Sequence, residues 1–208
     1  LGAAAVGFVF WERSPRYIEP AAARAIVEAL PPDVAPIGVF VDPSAEQVRE
    51  IAGLAGLSAV QLHGEETVEF CRSLPYRVLK AVGVRGAAGL DAALALPAAV
   101  TVLLDAHDAI GRGGTGRTID WTVAAAVAAR RRVFLSGGLR PENVAGAIAR
   151  VRPYAVDVSS GVEAAPGVKD EGRLRAFFEA VGKPGTGTGD GCQGQAPTVE
   201  AVGGQDRR

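Results

Sequence analysis

A parallel α/β fold, either a barrel or a doubly wound sheet, is predicted by three features of this 208-residue chain. Seven short apolar runs recur about every 25 residues. Each is nearly continuous in Val, Ile, Leu and Phe, the pattern of strands covered on both faces. Between the runs lie stretches with helical spacing, so strand and helix alternate as parallel connections require.

The runs fall at 6–10, 37–41, 59–62, 78–82, 100–104, 133–136 and 155–159. Pro20 opens the first helical stretch, where Ala23, Ile26, Val27 and Leu30 share a face. Ser44 and Gln47 have the spacing of a capping box ahead of Val48, Ile51 and Ala55. Residues 65–74 place Val68, Cys71 and Leu74 on one side, and 86–96 is Ala/Leu-rich with a weaker pattern. Asp120 suits the cap of a helix over 121–129. Pro141 suits a first helical position ahead of Val144, Ala147 and Ile148. Asp170 suits the cap of a last helix carrying Leu174, Phe177, Phe178 and Val181. A closed barrel takes eight strands. Seven units therefore make either an open sheet or a barrel with one unit absent, and the N-terminus is the natural place for the loss.

Composition narrows the class. With 48% apolar and 22% charged residues the chain can bury a sizeable core. Its length suits one domain over 1–182, followed by a glycine-rich tail over 183–208 expected to be disordered. A formal charge of −1 gives no support for a nucleic-acid surface. Cys71 and Cys192 form neither a disulfide scaffold nor a metal cluster, and two histidines exclude a His-rich metal site. Cys71 reads as core and Cys192 as an exposed thiol in the tail. No apolar run reaches the roughly 18 residues of a spanning helix. The start lacks the basic segment of a signal peptide. A cytoplasmic protein is expected, without nucleic-acid or membrane partners; a monomer is one option, and the sequence leaves the oligomeric state open.

Candidate functional residues collect just after the strands, where barrels and open α/β sheets both place ligands. Gly137 and Gly138 follow the sixth run, and Ser159, Ser160 and Gly161 follow the seventh. Glycines let the backbone approach a ligand, and a short helix beginning near Ser160 would aim N–H groups at an anion. Simple tight turns are the alternative. Asp105 ends VTVLLD and fits a general acid or base, or else a helix cap. Asp157 faces the same way as Ser159 by strand period, in a structural or a catalytic role. His63 sits at a strand end beside Gly64, for ligand contact or local hydrogen bonding. Arg16 suits an organic carboxylate through a two-pronged contact, or else a surface salt bridge. The glycine-rich loop over 106–118 fits a mobile cover, with His107 in it facing solvent. The arginines at 130–132 precede a strand and read as a solvated run at the opposite face.

Eight ordered motifs carry a family resemblance: GFVFWERSPRYIEP, IGVFVD, VQLHGEE, LKAVGV, LLDA, GGTGRTIDW, FLSGGLRPENV and VDVSSGVEAAPGVKD. Together they resemble phosphoribosylanthranilate isomerase of tryptophan biosynthesis from about Gly2 to Ala180. The resemblance implies a (β/α)8 TIM barrel and an Amadori rearrangement of N-(5-phosphoribosyl)anthranilate that needs no cofactor or metal. It implies Asp105 as the acid and Arg16 as the partner of the anthranilate carboxylate. It also implies a phosphate site at Gly137, Gly138, Ser159 and Ser160, to which position after the strands adds Gly161, with His63 and Asp157 as substrate contacts read from strand position alone. The family's general base is a cysteine in a strand reading roughly KICG. Nothing of that kind precedes Gly2, so the first strand, most of the first helix and the base are expected to be missing. A sequence shortened at its start is the favoured explanation, over a degenerate and inactive copy.

Overall fold

The computed structural model describes residues 1–84, 86–106 and 119–182. The expected cover over 106–118 with His107, and the tail with Cys192, fall outside the described residues, apart from Ala106. Seven strands form one parallel sheet: β1 (Ala5–Val9), β2 (Ala35–Phe40), β3 (Ala59–Leu62), β4 (Arg77–Gly83), β5 (Thr101–Asp105), β6 (Val133–Leu135) and β7 (Ala155–Val156). They lie side by side in sequence order. A doubly wound sheet reverses its strand order once, at its switch point. No reversal occurs here, so this is the wall of a TIM-barrel-like fold with β1 and β7 at its edges. Residues 1–4 form no strand.

Six helices connect the strands: α1 (Pro20–Ala29), α2 (Ala45–Ala55), α3 (Val68–Ser73), α4 (Gly86–Ala95), α5 (Trp121–Ala128) and α6 (Val144–Val151). A short hairpin of β8 (Glu163–Ala165) and β9 (Val168–Lys169) follows β7 and leads into α7 (Glu171–Gly182). Among the described residues, no helix is long and apolar enough to cross a membrane.

Both faces of the sheet are covered, which explains the unbroken apolar runs. Phe8, Phe40, Val60, Leu62 and Val78 pack with Val48, Ala52 and Cys71 in one cluster under α1–α3. Val102, Leu104, Val133 and Val156 pack with Ala124, Val127, Ala147 and Phe177 in a second, under α4–α7. The other face carries a small apolar layer of Ala5, Ile37, Ala59 and Leu79. Two residues further along β3 the same face turns polar, with Gln61 and then His63. The polar positions open at the C-terminal ends of the strands, as barrel geometry requires.

Local signals place most helix starts where expected. The Ser44 hydroxyl accepts the Gln47 N–H at 3.1 Å, and Gln47 Oε1 accepts the Ser44 N–H at 2.8 Å. Asp120 accepts the Thr122 N–H at 2.8 Å, and Asp170 accepts the Arg173 N–H at 2.8 Å. Four expectations need correction. Helix α3 begins at Val68, because the Thr67 hydroxyl caps it at Phe70 N and frees Glu65 and Glu66 for the loop before it. Pro141 lies in a turn, because Asn143 Oδ1 accepts the Arg140 N–H at 2.9 Å and delays α6 to Val144. Strand β7 is two residues long. Asp157 N still donates to Leu135 O at 2.8 Å, then the chain coils into a 3-10 turn over Ser160–Val162. Arg131 is not solvated. It donates to Ala93 O and Leu96 O at 2.8 Å and to Val100 O at 2.7 Å, closing the glycine-free end of α4. Burial pulls its pKa below the ordinary guanidinium value.

Candidate active site

One cavity at the C-terminal rim takes Val9, Val39, Gln61 and His63 from the β1–β3 side and Asp105, Ser136, Asp157 and Ser159 from the β5–β7 side. Loops add Trp11, Ser14, Arg16, Gly137, Gly138, Ser160 and Gly161. All nine residues singled out as site candidates in the sequence therefore line one cavity, although they come from five separate connections. Asp42 does not line it. Its carboxylate accepts the Glu65 N–H at 2.6 Å and braces the neighbouring loop.

Asp105 closes β5 and is 4% exposed. Its Oδ1 accepts the Ala106 N–H at 2.7 Å, and its Oδ2 lies 4.0 Å from His63 Nδ1. The other ring nitrogen, His63 Nε2, meets Gln61 Nε2 at 2.5 Å. A Gln61 amide N–H given to Nε2 leaves Nδ1 as the ring nitrogen on the Asp105 side. Below them the Ser136 hydroxyl donates to Asp157 Oδ2 at 2.8 Å, tying the tops of β6 and β7 together.

The glycine turns bring backbone close to its neighbours at the cavity rim. Gly137 and Gly138 have φ of 83° and 66°, the left-handed region that glycine enters at no steric cost. A Cβ on Gly137 would sit 2.9 Å from Asp105 Oδ1, and one on Gly161 would overlap the Leu139 carbonyl. Asn143 Nδ2 donates to the Gly138 carbonyl at 2.9 Å and fixes the turn. Among the described residues, no acceptor takes the N–H groups of Gly138, Ser160 and Gly161. Two adjacent turns thus offer main-chain donors to an anion.

Arg16 reaches the cavity from the β1–α1 loop, and part of its guanidinium is already engaged. Nε donates to Glu163 Oε1 at 2.9 Å and Nη2 to Glu163 Oε2 at 2.6 Å. Lys169 donates to Oε1 of the same carboxylate at 3.1 Å. Burial pushes the Glu163 carboxyl up, but the Arg16 hydrogen bonds and the Lys169 charge outweigh it and hold its pKa below the ordinary value. Of the two sequence readings, an ion pair is present, but at the cavity wall and largely out of water.

Several of these residues were not singled out from the sequence. Glu163 and Lys169 lie in GVEAAPGVKD, and the hairpin register Glu163↔Lys169 is the signal that would have paired them. Lys80, on the helix-covered face of β4, is 7% exposed. It pairs with Glu66 at 3.1 Å and donates to Gly64 O at 2.7 Å. Glu66 in turn accepts the N–H groups of Asp42 and Gly64 at 2.8 and 3.0 Å, which fixes the loop that presents His63. Cys71 lies away from the cavity in the cluster under α1–α3, and burial there pushes its thiol pKa up. Among the described residues, no group of three or more His, Cys, Asp or Glu side chains is arranged to hold a metal ion.

The family model described as N-(5'phosphoribosyl)anthranilate (PRA) isomerase matches residues 1–180. An N-(5'-phosphoribosyl)anthranilate isomerase of Geobacter sp. (strain M21) is 51% identical over 182 residues, covering 88% of this chain and 89% of that protein. The crystal structure of phosphoribosyl anthranilate isomerase from Thermotoga maritima is similar at a TM-score of 0.80 and 46% identity, covering 86% of this chain and 88% of that one. A phosphoribosyl anthranilate isomerase in complex with reduced 1-(o-carboxyphenylamino)-1-deoxyribulose 5-phosphate is similar at a TM-score of 0.76 and 46% identity, covering 85% of this chain and 86% of that one.

Proposed function

From the premise that the chain belongs to the N-(5'-phosphoribosyl)anthranilate isomerase family, we propose that its cavity binds N-(5-phosphoribosyl)anthranilate for Amadori rearrangement to 1-(2-carboxyphenylamino)-1-deoxyribulose 5-phosphate. The observation that carries the reading is the convergence of Asp105, Arg16 and the turns at 137–138 and 159–161 on one cavity.

The N–H groups of Gly138, Ser160 and Gly161 take the phosphate and fix one end of the substrate. Arg16 takes the anthranilate carboxylate and fixes the other. Between them Asp105 gives its proton to the ribose ring oxygen. The C1–O bond breaks, and the nitrogen lone pair forms a protonated Schiff base. Removal of the C2 proton moves that electron pair into a C1=C2 bond and returns the iminium electrons to nitrogen. The enolamine then gains a proton at C1 and loses the one on its C2 hydroxyl, leaving the ketone. His63 orients Asp105 from one side, and Asp157 with Ser136 holds the floor. A substrate carrying both a phosphate and a carboxylate does not cross membranes unaided, so the cytoplasm is the proposed setting.

The proton at C2 needs a base, and the described cavity wall carries no thiol, since Cys71 is buried elsewhere. The 208-residue chain is therefore expected to bind substrate and product and to turn over slowly or not at all. A version extended upstream with a KICG-like strand is expected to turn over. Two measurements test this: loss of the fluorescence of phosphoribosylanthranilate, and calorimetric binding of the reduced product. Failure of both, with no turnover by the extended chain and no binding by either, would remove the proposal. Binding with no turnover even after extension would favour a silent sugar-phosphate-binding barrel instead.

A further inference from the structure

We infer that Glu163, backed by Lys169, is a positioning residue that turns the free face of Arg16 into the cavity and so sets the preference for a carboxylate-bearing substrate. The inference rests on the role of Arg16 proposed above.

A guanidinium has two bidentate edges. Glu163 takes the side edge, with 2.9 Å at Nε and 2.6 Å at Nη2. That leaves Nη1 and the second N–H of Nη2, which form the end-on fork, and no described residue occupies it. This fork matches a planar carboxylate through two parallel bonds. Two bonds on one edge also remove the rotation that a lone arginine retains, so the fork has one direction instead of many. The Arg16 and Glu163 side chains are 15% and 4% exposed. The carboxylate is thus buried while the guanidinium still reaches the cavity that it lines.

Charge points the same way. Arg16 and Lys169 both pair with the Glu163 carboxylate, so two cations stand together at the wall that would face an anionic ligand. Burying a carboxylate is costly unless it is fully paired, and this one is paired twice. Lys169 also donates to Ser159 O at 3.0 Å. One side chain therefore joins the group behind Arg16 to the turn that offers N–H groups to the phosphate. Arg173 anchors the hairpin through the Glu163 carbonyl. The hairpin holds the two recognition ends at a fixed separation, and a substrate has to fit both.

Calorimetry on the full chain tests the inference with two ligands: the reduced product, and the same compound lacking the ring carboxylate. Glu163→Gln keeps the side-chain shape and removes its charge. It is expected to weaken the reduced product about tenfold, the scale of one charge-assisted hydrogen bond, and to leave the carboxylate-free ligand within about twofold. Glu163→Asp, which keeps the charge on a shorter arm, is expected to recover part of the loss. Arg16→Gln should show the same selective loss, and the double variant should bind no more weakly than Arg16→Gln alone. Equal weakening of both ligands in Glu163→Gln and Glu163→Asp, or a double variant that adds the two losses, would overturn the positioning role. If Arg16→Gln binds both ligands as tightly as the unsubstituted chain, the reading of Arg16 itself is wrong, a failure separable from that of Glu163.

Discussion

The two arcs of the sheet hold their parts of the cavity in different ways. From β5 to β7 the rim around the Asp105 side chain is shaped mainly by main-chain turns. Strands β6 and β7, of three and two residues, end in glycine and serine turns. Positive φ angles and the absence of Cβ atoms let Gly137 lie against Asp105, and Gly161 against Leu139. From β1 to β4 the rim is held by charge. Lys80 and Glu66 brace the His63 loop, and Arg16 is tied to Glu163. The arcs also have separate apolar clusters beneath them. A main-chain rim suits phosphate, whose oxygens accept from any N–H. A side-chain rim suits an aromatic carboxylate, whose plane has to be matched by a fork.

The sharpest challenge to this division is Asp105→Asn in the upstream-extended chain. The substitution keeps Oδ1 as an acceptor for Ala106 N while removing the acid. Turnover is expected to fall by about 10² to 10⁴, with the reduced product still bound. If Arg16→Gln lost as much rate in the same assay, the side-chain arc would be doing chemistry as well as orientation, and the division would fail.

A stability measurement comes next in size. Lys80 and Glu66 are buried, with side chains 9% and 3% exposed. Lys80→Met strands a buried carboxylate and is expected to cost about 3 kcal/mol, read as a lowered urea midpoint. Because Lys80 and Glu66 brace the loops after β2 and β3, away from the 137–138 and 159–161 turns, phosphate affinity should change little in the protein that remains folded. Gly161→Ala is the counterpart on the other arc. Its new Cβ meets the Leu139 carbonyl, which is backbone and cannot swing away. It is expected to cost about 2 kcal/mol and to weaken inorganic phosphate as well. A phosphate loss from Lys80→Met, or none from Gly161→Ala, would exchange the roles assigned to the two arcs.

The same contrast explains what was legible in the sequence. The β5–β7 arc announces itself because glycine and serine encode backbone shape locally, at the positions where the shape is needed. LSGG and VSSG could be read as a ligand rim before any fold was known. The parallel strands were legible because burial on both faces leaves no polar alternation. The charged arc was not. Arg16 and Glu163 are 147 positions apart, and nothing near either one names its partner. Lys80 sits in an apolar run where a lysine is unexpected, but its partners depend on how α3 starts. That start moved to Val68 because Thr67 took the cap. Pro141 misled for a related reason, since the Asn143 side chain outcompeted it for the turn. The strand order that decides between barrel and doubly wound sheet is a property of the whole chain and of no single segment.

The smallest expected effect concerns the point where the arcs meet. Arg16 and Lys169 hold the Glu163 pKa below its ordinary value despite its burial. A carboxylate with a folded-state pKa below the unfolded one binds fewer protons in the native state. Its contribution to stability is complete above the unfolded pKa, near 4.3 for glutamate, and is lost as pH falls through the folded value. Thermal melts of the unsubstituted chain and of Glu163→Gln should therefore differ most at neutral pH and converge as pH falls below about 4. A constant gap between the two melting curves from pH 7 down to pH 3 would mean that shape alone, and not charge, holds the junction. The orientation of Arg16 would then be a packing effect.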